Sequence, residues 1–347
     1  MKHILEINDR EALRYVISRE LKNYGLKVPK EKKSSSNNCV CKVHTQEELC
    51  TFGCPLGCLP SISVDDASAH TVPRYLVECV EFLKLHLNLE GLFRKPGSRV
   101  RQKELKQIIL NTGSVPQDSH CADVASLLKE FFRELPDPLF THKLQETFLK
   151  CGQLEEEWKQ KNAILLLVTI LPESHFHTLL YLMSFLNDVA AHSENNKMNV
   201  RNIALVLTPN LIGLNEKQEK SSTLSEKILR IFMSVIALLI QQANRIGFVS
   251  ETLAEKINNC ANKSWSAVDG GLTSEDDLDC SAEAILDAEK VIKKKRRRSG
   301  SLQVLTPSRN HQGVYETPKI MRSKRKASED SGAFTSAKRW ALVSFEF

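Results

Sequence analysis

One arginine, Arg94, lies in a short segment whose residue types could hold a cation at a fixed position. Residues 90–98 contain Gly91, Gly97 and one proline, a composition typical of a tight loop. Phe93 is large and apolar, so we expect it to be buried beside this loop and to anchor it. The loop would then present Arg94 outward, as a guanidinium that stays charged and donates several directed hydrogen bonds. The alternative is an exposed loop arginine without a specific role.

A second pair of cations lies on a predicted helix over residues 121–135. At about 100° per residue, one broad face of this helix is apolar and is expected in the core; it comprises Val124, Leu127, Leu128, Phe131, Phe132 and Leu135. Lys129 and Arg133 are four residues apart and lie together on the opposite side. The alternative to a binding role is a solvated polar face of a core helix. Pro136 and Pro138 end the helix.

A third candidate segment is the apolar helix that begins near Asn202. It reads Asn-Ile-Ala-Leu-Val-Leu-Thr-Pro-Asn-Leu, and we expect Pro209 to end it. Asn202 and Asn210 therefore place two amide side chains at the margins of a core element. The alternative is that each amide caps a helix end or satisfies a turn.

The elements that must position these residues are predicted to be helices. Residues 4–26 have apolar side chains at three- and four-residue steps, and Gly25 is placed to stop that helix. Helical spacing also predicts segments near 73–87, 98–110, 121–135, 141–150, 156–171, 174–192, 199–207 and 223–244. We therefore divide the chain into an N-terminal helix at 1–28, an irregular Cys-containing connector at 29–69, an all-helical domain at 70–246, a partly ordered linker at 247–290 and a disordered basic tail at 291–347.

The three segments occur in an order that resembles the RhoGAP domain, the family of GTPase-activating domains for Rho-type GTPases. The resemblance covers about residues 70–246 and implies an all-α fold with a single RhoGAP-type helical domain. It further implies that Arg94 is an arginine finger and that Lys129, Arg133, Asn202 and Asn210 bind the GTPase. Gly91, Phe93 and Gly97 would support the finger loop.

The resemblance implies an activator rather than a hydrolase. The partner would be a GTP-bound Rho-family small GTPase, which would supply GTP and magnesium, so the chain needs no cofactor and no metal of its own. The sequence has no Gly-x4-Gly-Lys-Ser/Thr phosphate loop. The layout of the whole chain is also similar to the amino-terminal part of a longer member of the family. This similarity favours the RhoA class, regulation of actin during cell division, and a nuclear pool.

Two other functions remain open. A binding module with the same fold could sequester a Rho GTPase without activating it, although the presence of Arg94 argues against this. A nuclear protein could instead bind nucleic acid through its basic tail, but nucleic acid is a less favoured partner than a GTPase.

The tail carries six consecutive cations that favour recognition by a nuclear import receptor. They are Lys293, Lys294, Lys295, Arg296, Arg297 and Arg298. A solubilising charge run is the alternative. Ser299, Thr306 and Thr317 follow the run or precede prolines and are candidate phosphorylation sites.

The remaining sequence features argue against several classes of protein. No apolar stretch reaches the roughly 20 residues that a membrane span requires, and the charged N-terminus is no signal peptide. We therefore expect a cytoplasmic and nuclear protein whose ten cysteines are free thiols. A metal site is disfavoured, because the spacing of the cluster Cys39, Cys41, Cys50, Cys54 and Cys58, with His44 among them, matches no common zinc motif.

Overall fold

The computed structural model describes residues 1–7, 9–30, 51–64, 70–213 and 222–266, and these are mostly helical, which confirms the all-α class. The helices are α1 (Arg10–Asn23), α2 (Arg74–Lys84), α3 (Arg99–Thr112), α4 (Cys121–Arg133), α5 (His142–Cys151), α6 (Glu157–Thr169), α7 (Glu173–Ala191), α8 (Ser193–Asn196), α9 (Val200–Leu211), α10 (Ser222–Gln241) and α11 (Glu251–Ser266). Except at the end of α9, the helix bounds predicted between 73 and 244 agree with these to within three residues.

Four short strands accompany the helices. β1 (Lys2–His3) pairs antiparallel with β4 (Phe248–Val249), and β2 (Ser61–Ser63) pairs antiparallel with β3 (Thr71–Pro73). The N-terminal helix is therefore shorter than predicted. It begins after Asp9, whose side chain accepts a hydrogen bond from the Ala12 N–H at 2.8 Å.

Gly25 ends α1 as predicted. It has φ +76°, a conformation that costs glycine little. The Gly25 N–H donates to the Lys22 carbonyl at 2.9 Å, and the Leu26 N–H donates to the Leu21 carbonyl at 3.1 Å. These bonds satisfy carbonyls that the last helical turn would otherwise leave without partners.

Part of the predicted irregular connector belongs to the core. Between residues 51 and 64 the chain forms a 3-10 turn and strand β2, and Leu56 and Leu59 are buried. The Phe52 ring packs against Tyr75 and Phe131, with centroids 5.2 and 6.2 Å apart. Sequence periodicity missed this segment because each of its elements is only three residues long.

The cysteines of the connector also differ from expectation. Cys54 and Cys58 are disulfide-bonded, so the prediction of free thiols was wrong for these two. Cys79, Cys121 and Cys151 are free thiols. The rest of the cluster, Cys39, Cys41 and Cys50 with His44, lies outside the described residues.

The segment after the predicted domain is not a linker throughout. Helix α11 contacts α1 and buries Leu253, Ala254 and Ile257. Residues 247–266 therefore pack against the N-terminal segment, through the pairing of β1 with β4 and the contact of α1 with α11. Within the described residues, no helix has the length and apolar character needed to cross a membrane.

Pro209 does not end its helix, which corrects the prediction. α9 continues to Leu211, although Pro209 has no N–H to donate within the last turn. Neighbouring side chains donate to carbonyls of this turn instead. Thr208 Oγ1 donates to the Ala204 carbonyl at 2.7 Å, and Asn210 Nδ2 donates to the Val206 carbonyl at 3.0 Å. Polar residues on both sides of the proline thus stabilise the helix end.

The predictions for the tail lie outside the described residues. These comprise the candidate import run Lys293–Arg298 and the candidate phosphorylation sites Ser299, Thr306 and Thr317.

Several histidines lie at the joint where strands β1 and β3 contact α7. The His70 and His177 rings meet edge to face with centroids 5.0 Å apart, and the Thr71 N–H donates to His177 Nδ1 at 3.3 Å. Burial lowers the pKa of His3 and His175, and burial together with repulsion from His70 lowers the pKa of His177. At this joint the folded protein therefore favours the neutral forms of His3, His175 and His177.

We expect acid to destabilise the fold through this joint. Unfolded histidines take up protons below about pH 6.5, whereas the folded rings resist protonation. The contribution of these neutral histidines to the free energy of unfolding is therefore fully present above that pH. It falls as the pH is lowered, by at most about 1.4 kcal/mol per pH unit for each histidine. Urea denaturation of wild type and His177→Gln at pH 7.5 and 5.5 measures this, and the variant should lose less stability on acidification. The exposed His142→Gln is the control. Equal losses in all three proteins would contradict the assignment.

Candidate functional site

Residues 90–98, here called the Arg94 loop, have an unusual backbone. Gly91 has φ +77° and Phe93 has φ +67°. Phenylalanine rarely adopts this conformation, which costs on the order of 1–3 kcal/mol and persists only where the surroundings impose it. The Phe93 ring is 1% exposed and meets the Phe185 ring edge to face at 6.1 Å. Phe93 is thus buried beside the loop, as the sequence predicted, and its burial fixes the backbone directly before Arg94.

Lys129 holds the middle of the Arg94 loop. Its ammonium donates to the Phe93 carbonyl at 2.9 Å, so the peptide that leads into Arg94 is fixed from α4. Burial, with a smaller contribution from the Arg133 charge, lowers the pKa of Lys129. The half-buried Lys129 is therefore directed to the loop, and its predicted role in binding the GTPase stays a prediction.

Asn196, which the sequence analysis missed, holds the start of the Arg94 loop. Its backbone carbonyl accepts from the Gly91 N–H at 2.8 Å. Its fully buried side chain donates to the Leu87 and Val189 carbonyls, both at 2.8 Å, and accepts from the Met198 N–H at 2.7 Å. The only sequence signal was a short polar run between two apolar helices, which does not distinguish a buried asparagine from an exposed one.

Asp123, also missed, lies at the end of the Arg94 loop. One carboxylate oxygen accepts from the Ser98 N–H at 2.7 Å and the other accepts from Arg101 Nε at 2.6 Å. The Asp123 side chain is 2% exposed. The available sequence signal was an aspartate directly before the apolar face that begins at Val124. An acid in such a position is partly removed from water and needs hydrogen-bond partners.

The Arg94 side chain itself is exposed. Its guanidinium lies 3.8 Å from Glu90 Oε1, and both side chains are about half exposed, at 55% and 56%. Lys95 Nζ lies 3.4 Å from the same oxygen. Exposed pairs of this kind contribute about 0–1 kcal/mol, so little free energy opposes moving the guanidinium toward a partner.

The other predicted binding residues lie beside α9. The exposed Arg133 donates to Asn210 Oδ1 at 3.4 Å, which links the end of α4 to the end of α9. Asn202 Nδ2 donates to the Lys197 carbonyl at 3.2 Å, next to Asn196. Asn202 and Asn210 thus form hydrogen bonds beside the loop. Of the three asparagines, Asn196 is the one that bonds the loop directly.

One family of domains matches the segment that contains this arrangement. Residues 73–216 match the RhoGAP domain. The chain carries a RhoGAP domain. All three sequence blocks, from the Arg94 loop to Asn210, lie within the match.

Curated relatives extend the similarity beyond the RhoGAP domain. The chain is 34% identical over 309 residues to human Rho GTPase-activating protein 11A, covering 84% of this chain and 29% of that protein. It is 35% identical over 187 residues to human Rho GTPase-activating protein 7, covering 52% of this chain and 12% of that protein. The chain thus spans less than a third of the length of either relative.

A solved structure agrees with the fold. The crystal structure of human Rho GTPase activating protein 15 superposes with a TM-score of 0.51 at 21% sequence identity, covering 61% of this chain and 99% of that one. This supports the helical architecture of the RhoGAP domain. Within the residues that the structure describes, no group of three or more His, Cys, Asp and Glu side chains is arranged to hold a metal ion.

The hydrogen bonds of Asn196 yield a prediction for the RhoGAP domain. Asn196→Ala leaves two buried carbonyls and one N–H without their partner, so we expect it to lower the free energy of unfolding by about 3 kcal/mol. Chemical denaturation measures the loss. Asn195→Ala is the matched control, because the adjacent exposed Asn195 bonds only the Asn88 side chain and should change stability by less than about 1 kcal/mol. Similar losses in both variants would contradict the bracing role of Asn196.

Proposed function

We propose that this chain stimulates GTP hydrolysis by a Rho-family small GTPase and thereby switches off Rho signalling. In this proposal Arg94 is the arginine finger and enters the active site of the GTPase in trans. The observation that carries the proposal is an exposed, weakly paired guanidinium on a loop whose backbone is fixed by buried groups. The two relatives described above, Rho GTPase-activating proteins 11A and 7, agree with it by name.

The chemistry of the reaction suits an arginine at this position. Transfer of the γ-phosphoryl group to water spreads negative charge over the phosphate oxygens and the leaving oxygen. A guanidinium stabilises this charge and helps to exclude water, and its planar fork donates hydrogen bonds in directions that an ammonium cannot copy. Such fingers accelerate hydrolysis by about 10³–10⁵, which corresponds to roughly 4–7 kcal/mol of barrier.

The division of labour follows from this mechanism. The GTPase supplies GTP, magnesium and the attacking water, so this chain is an activator and not itself a hydrolase. Lys129 acts on the loop from within, by holding the Phe93 carbonyl. Arg133, Asn202 and Asn210 lie at or near the surface beside the loop and are proposed to contact the GTPase.

Sequestration without activation is the weaker proposal. A protein that only binds the GTPase needs no cation at the γ-phosphate and no fixed backbone beneath it. Here three separate groups, Asn196, Lys129 and Asp123, fix the loop that presents Arg94. The loop geometry therefore favours activation over simple binding.

Replacement of Arg94 tests the proposal directly. We expect Arg94→Ala to reduce stimulated hydrolysis about 10³-fold or more, and Arg94→Lys to restore little of it, because the fork is lost. Phosphate release from GTP-loaded RhoA measures the rate. Lys95→Ala is the matched control: Lys95 is also exposed and also pairs with Glu90, so this variant should retain nearly full stimulation.

Two results would contradict the proposal. One is the absence of stimulation by the wild-type chain across RhoA, Rac and Cdc42 types, and the other is equal stimulation by Arg94→Ala. The same panel tests the proposed preference for the RhoA class and, with it, a role in regulating actin during division. Tight binding to a GTP-loaded GTPase without stimulation would establish sequestration instead.

We further propose that the basic run at 293–298 directs part of the protein to the nucleus through an import receptor. Neutralising the run by changing all six cations to alanine should shift a fluorescent fusion from nucleus to cytoplasm. Residues 322–326, Arg-Ser-Lys-Arg-Lys, form a second basic group. Changing its four cations to alanine is the matched control and should have a smaller effect. A distribution that neither change alters would contradict the proposal.

A further inference from the structure

We infer that Asp123 is a positioning residue for Arg94 and acts by fixing where the Arg94 loop ends. The inference rests on the proposed function, because it assigns Asp123 a role in the same reaction. Asp123 is the third residue of α4, and its side chain is buried. Its effect on hydrolysis would pass entirely through the backbone that carries the finger.

The contact geometry of Asp123 joins two helix starts. Ser98 is the residue before α3, and its own side chain makes no capping hydrogen bond. The Asp123 carboxylate takes that place by accepting from the Ser98 N–H at 2.7 Å. The second oxygen accepts from Arg101 Nε at 2.6 Å, and Arg101 is the third residue of α3. The first turn of α3 is thereby fastened to the first turn of α4.

The charge of Asp123 suits this position. The amino ends of both helices carry partial positive charge, which favours a carboxylate there. Arg101 adds a full positive charge to a side chain that is only 2% exposed. Without the guanidinium, the buried carboxylate would keep only part of its stabilisation. The pair Asp123–Arg101 is therefore expected to hold one geometry.

Gly97 shows how closely the loop approaches this carboxylate. A Cβ atom added at Gly97 would lie 2.1 Å from Asp123 Oδ1 and 3.0 Å from the backbone of Ala122. No side chain fits there unless the loop moves away from α4. The absence of a side chain at position 97 thus allows the direct bond between Asp123 and the next residue, Ser98.

The consequence for Arg94 follows from the shortness of the loop. Only three residues separate Arg94 from Ser98, so the position of Ser98 restricts the position of the finger. Lys129 and Asn196 hold the other side of Arg94, at Phe93 and Gly91. Loss of the Asp123 contact would leave Arg94 attached at one side only. A finger displaced by about 1 Å is expected to lose up to about a hundredfold in rate.

The test uses Asp123→Asn and Arg101→Ala in the full chain, with Arg99→Ala as the matched control. Arg101 is half exposed, so Arg101→Ala should fold even if Asp123→Asn does not. Arg99 is exposed in the same first turn of α3, so its replacement removes the same charge without touching Asp123. Gly97→Ala displaces the loop without changing any charge and should behave like Asp123→Asn.

Three readouts separate positioning from general stability. For Asp123→Asn and Arg101→Ala, we expect the single-turnover rate of GTP hydrolysis at saturating protein to fall about ten- to hundredfold, while affinity for a GTPase loaded with a non-hydrolysable GTP analogue changes less than about threefold. Exchange of the Ser98 amide hydrogen should accelerate at least about tenfold in the free protein. Arg99→Ala should match wild type in all three.

The outcomes distinguish this inference from the proposed function. If wild type stimulates hydrolysis and Arg101→Ala and Gly97→Ala keep its rate, the inference is overturned while the proposed function stands. A loss of affinity as large as the loss of rate would also overturn it, because it would indicate general damage to the binding surface. If wild type stimulates no GTPase, the proposed function fails and the positioning role fails with it, whatever the Ser98 exchange shows.

Discussion

The strained backbone at Phe93 is the constraint on which the functional site depends. A buried phenylalanine with positive φ would relax to an ordinary conformation if its surroundings allowed it. Lys129 prevents this by holding the Phe93 carbonyl from α4, and the Phe185 ring closes the space around its side chain. Helix α4 also carries Asp123, two turns earlier. The helix that contributes a large apolar face to the core therefore also sets the shape of the loop, so the stability of the core and the position of Arg94 are coupled.

The same coupling explains why the site needs residues from distant parts of the chain. The Arg94 loop follows α2 in sequence, but its supports come from α4 and α8, and α4 is tied to α9 through Arg133 and Asn210. Asn196 and Asp123 are buried and Lys129 is half-buried, whereas the Arg94 side chain is 55% exposed. In the proposed mechanism the Arg94 side chain moves toward the GTPase, and the buried groups that fix the loop are already in place without a partner.

Sequence patterns predicted the parts of this arrangement that repeat along the chain. Most helices between 73 and 244 follow from apolar spacing, and the three sequence blocks located the Arg94 loop, α4 and α9. Asn196 and Asp123 could not be found in this way, because their importance comes from a single buried polar contact each, which periodicity does not register. Lys129 was found from its spacing with Arg133, but spacing alone cannot show that this half-buried lysine bonds the Phe93 carbonyl. Pro209 was expected to end α9 because proline has no N–H to donate. The helix nevertheless continues to Leu211, and the Thr208 and Asn210 side chains bond carbonyls four residues earlier in the same helix.

The pairing of β1 with β4 has a consequence for synthesis of the chain. Lys2 lies opposite Val249, and α1 packs against α11, so residues near Lys2 find their partners only after nearly 250 later residues have been synthesised. At typical translation speeds this delay is on the order of ten to fifty seconds. During that time the apolar side of α1, with Leu13, Ile17 and Leu21, lacks α11. Vectorial synthesis therefore leaves the segment around α1 without its partner for longer than an element whose partner follows closely in the sequence.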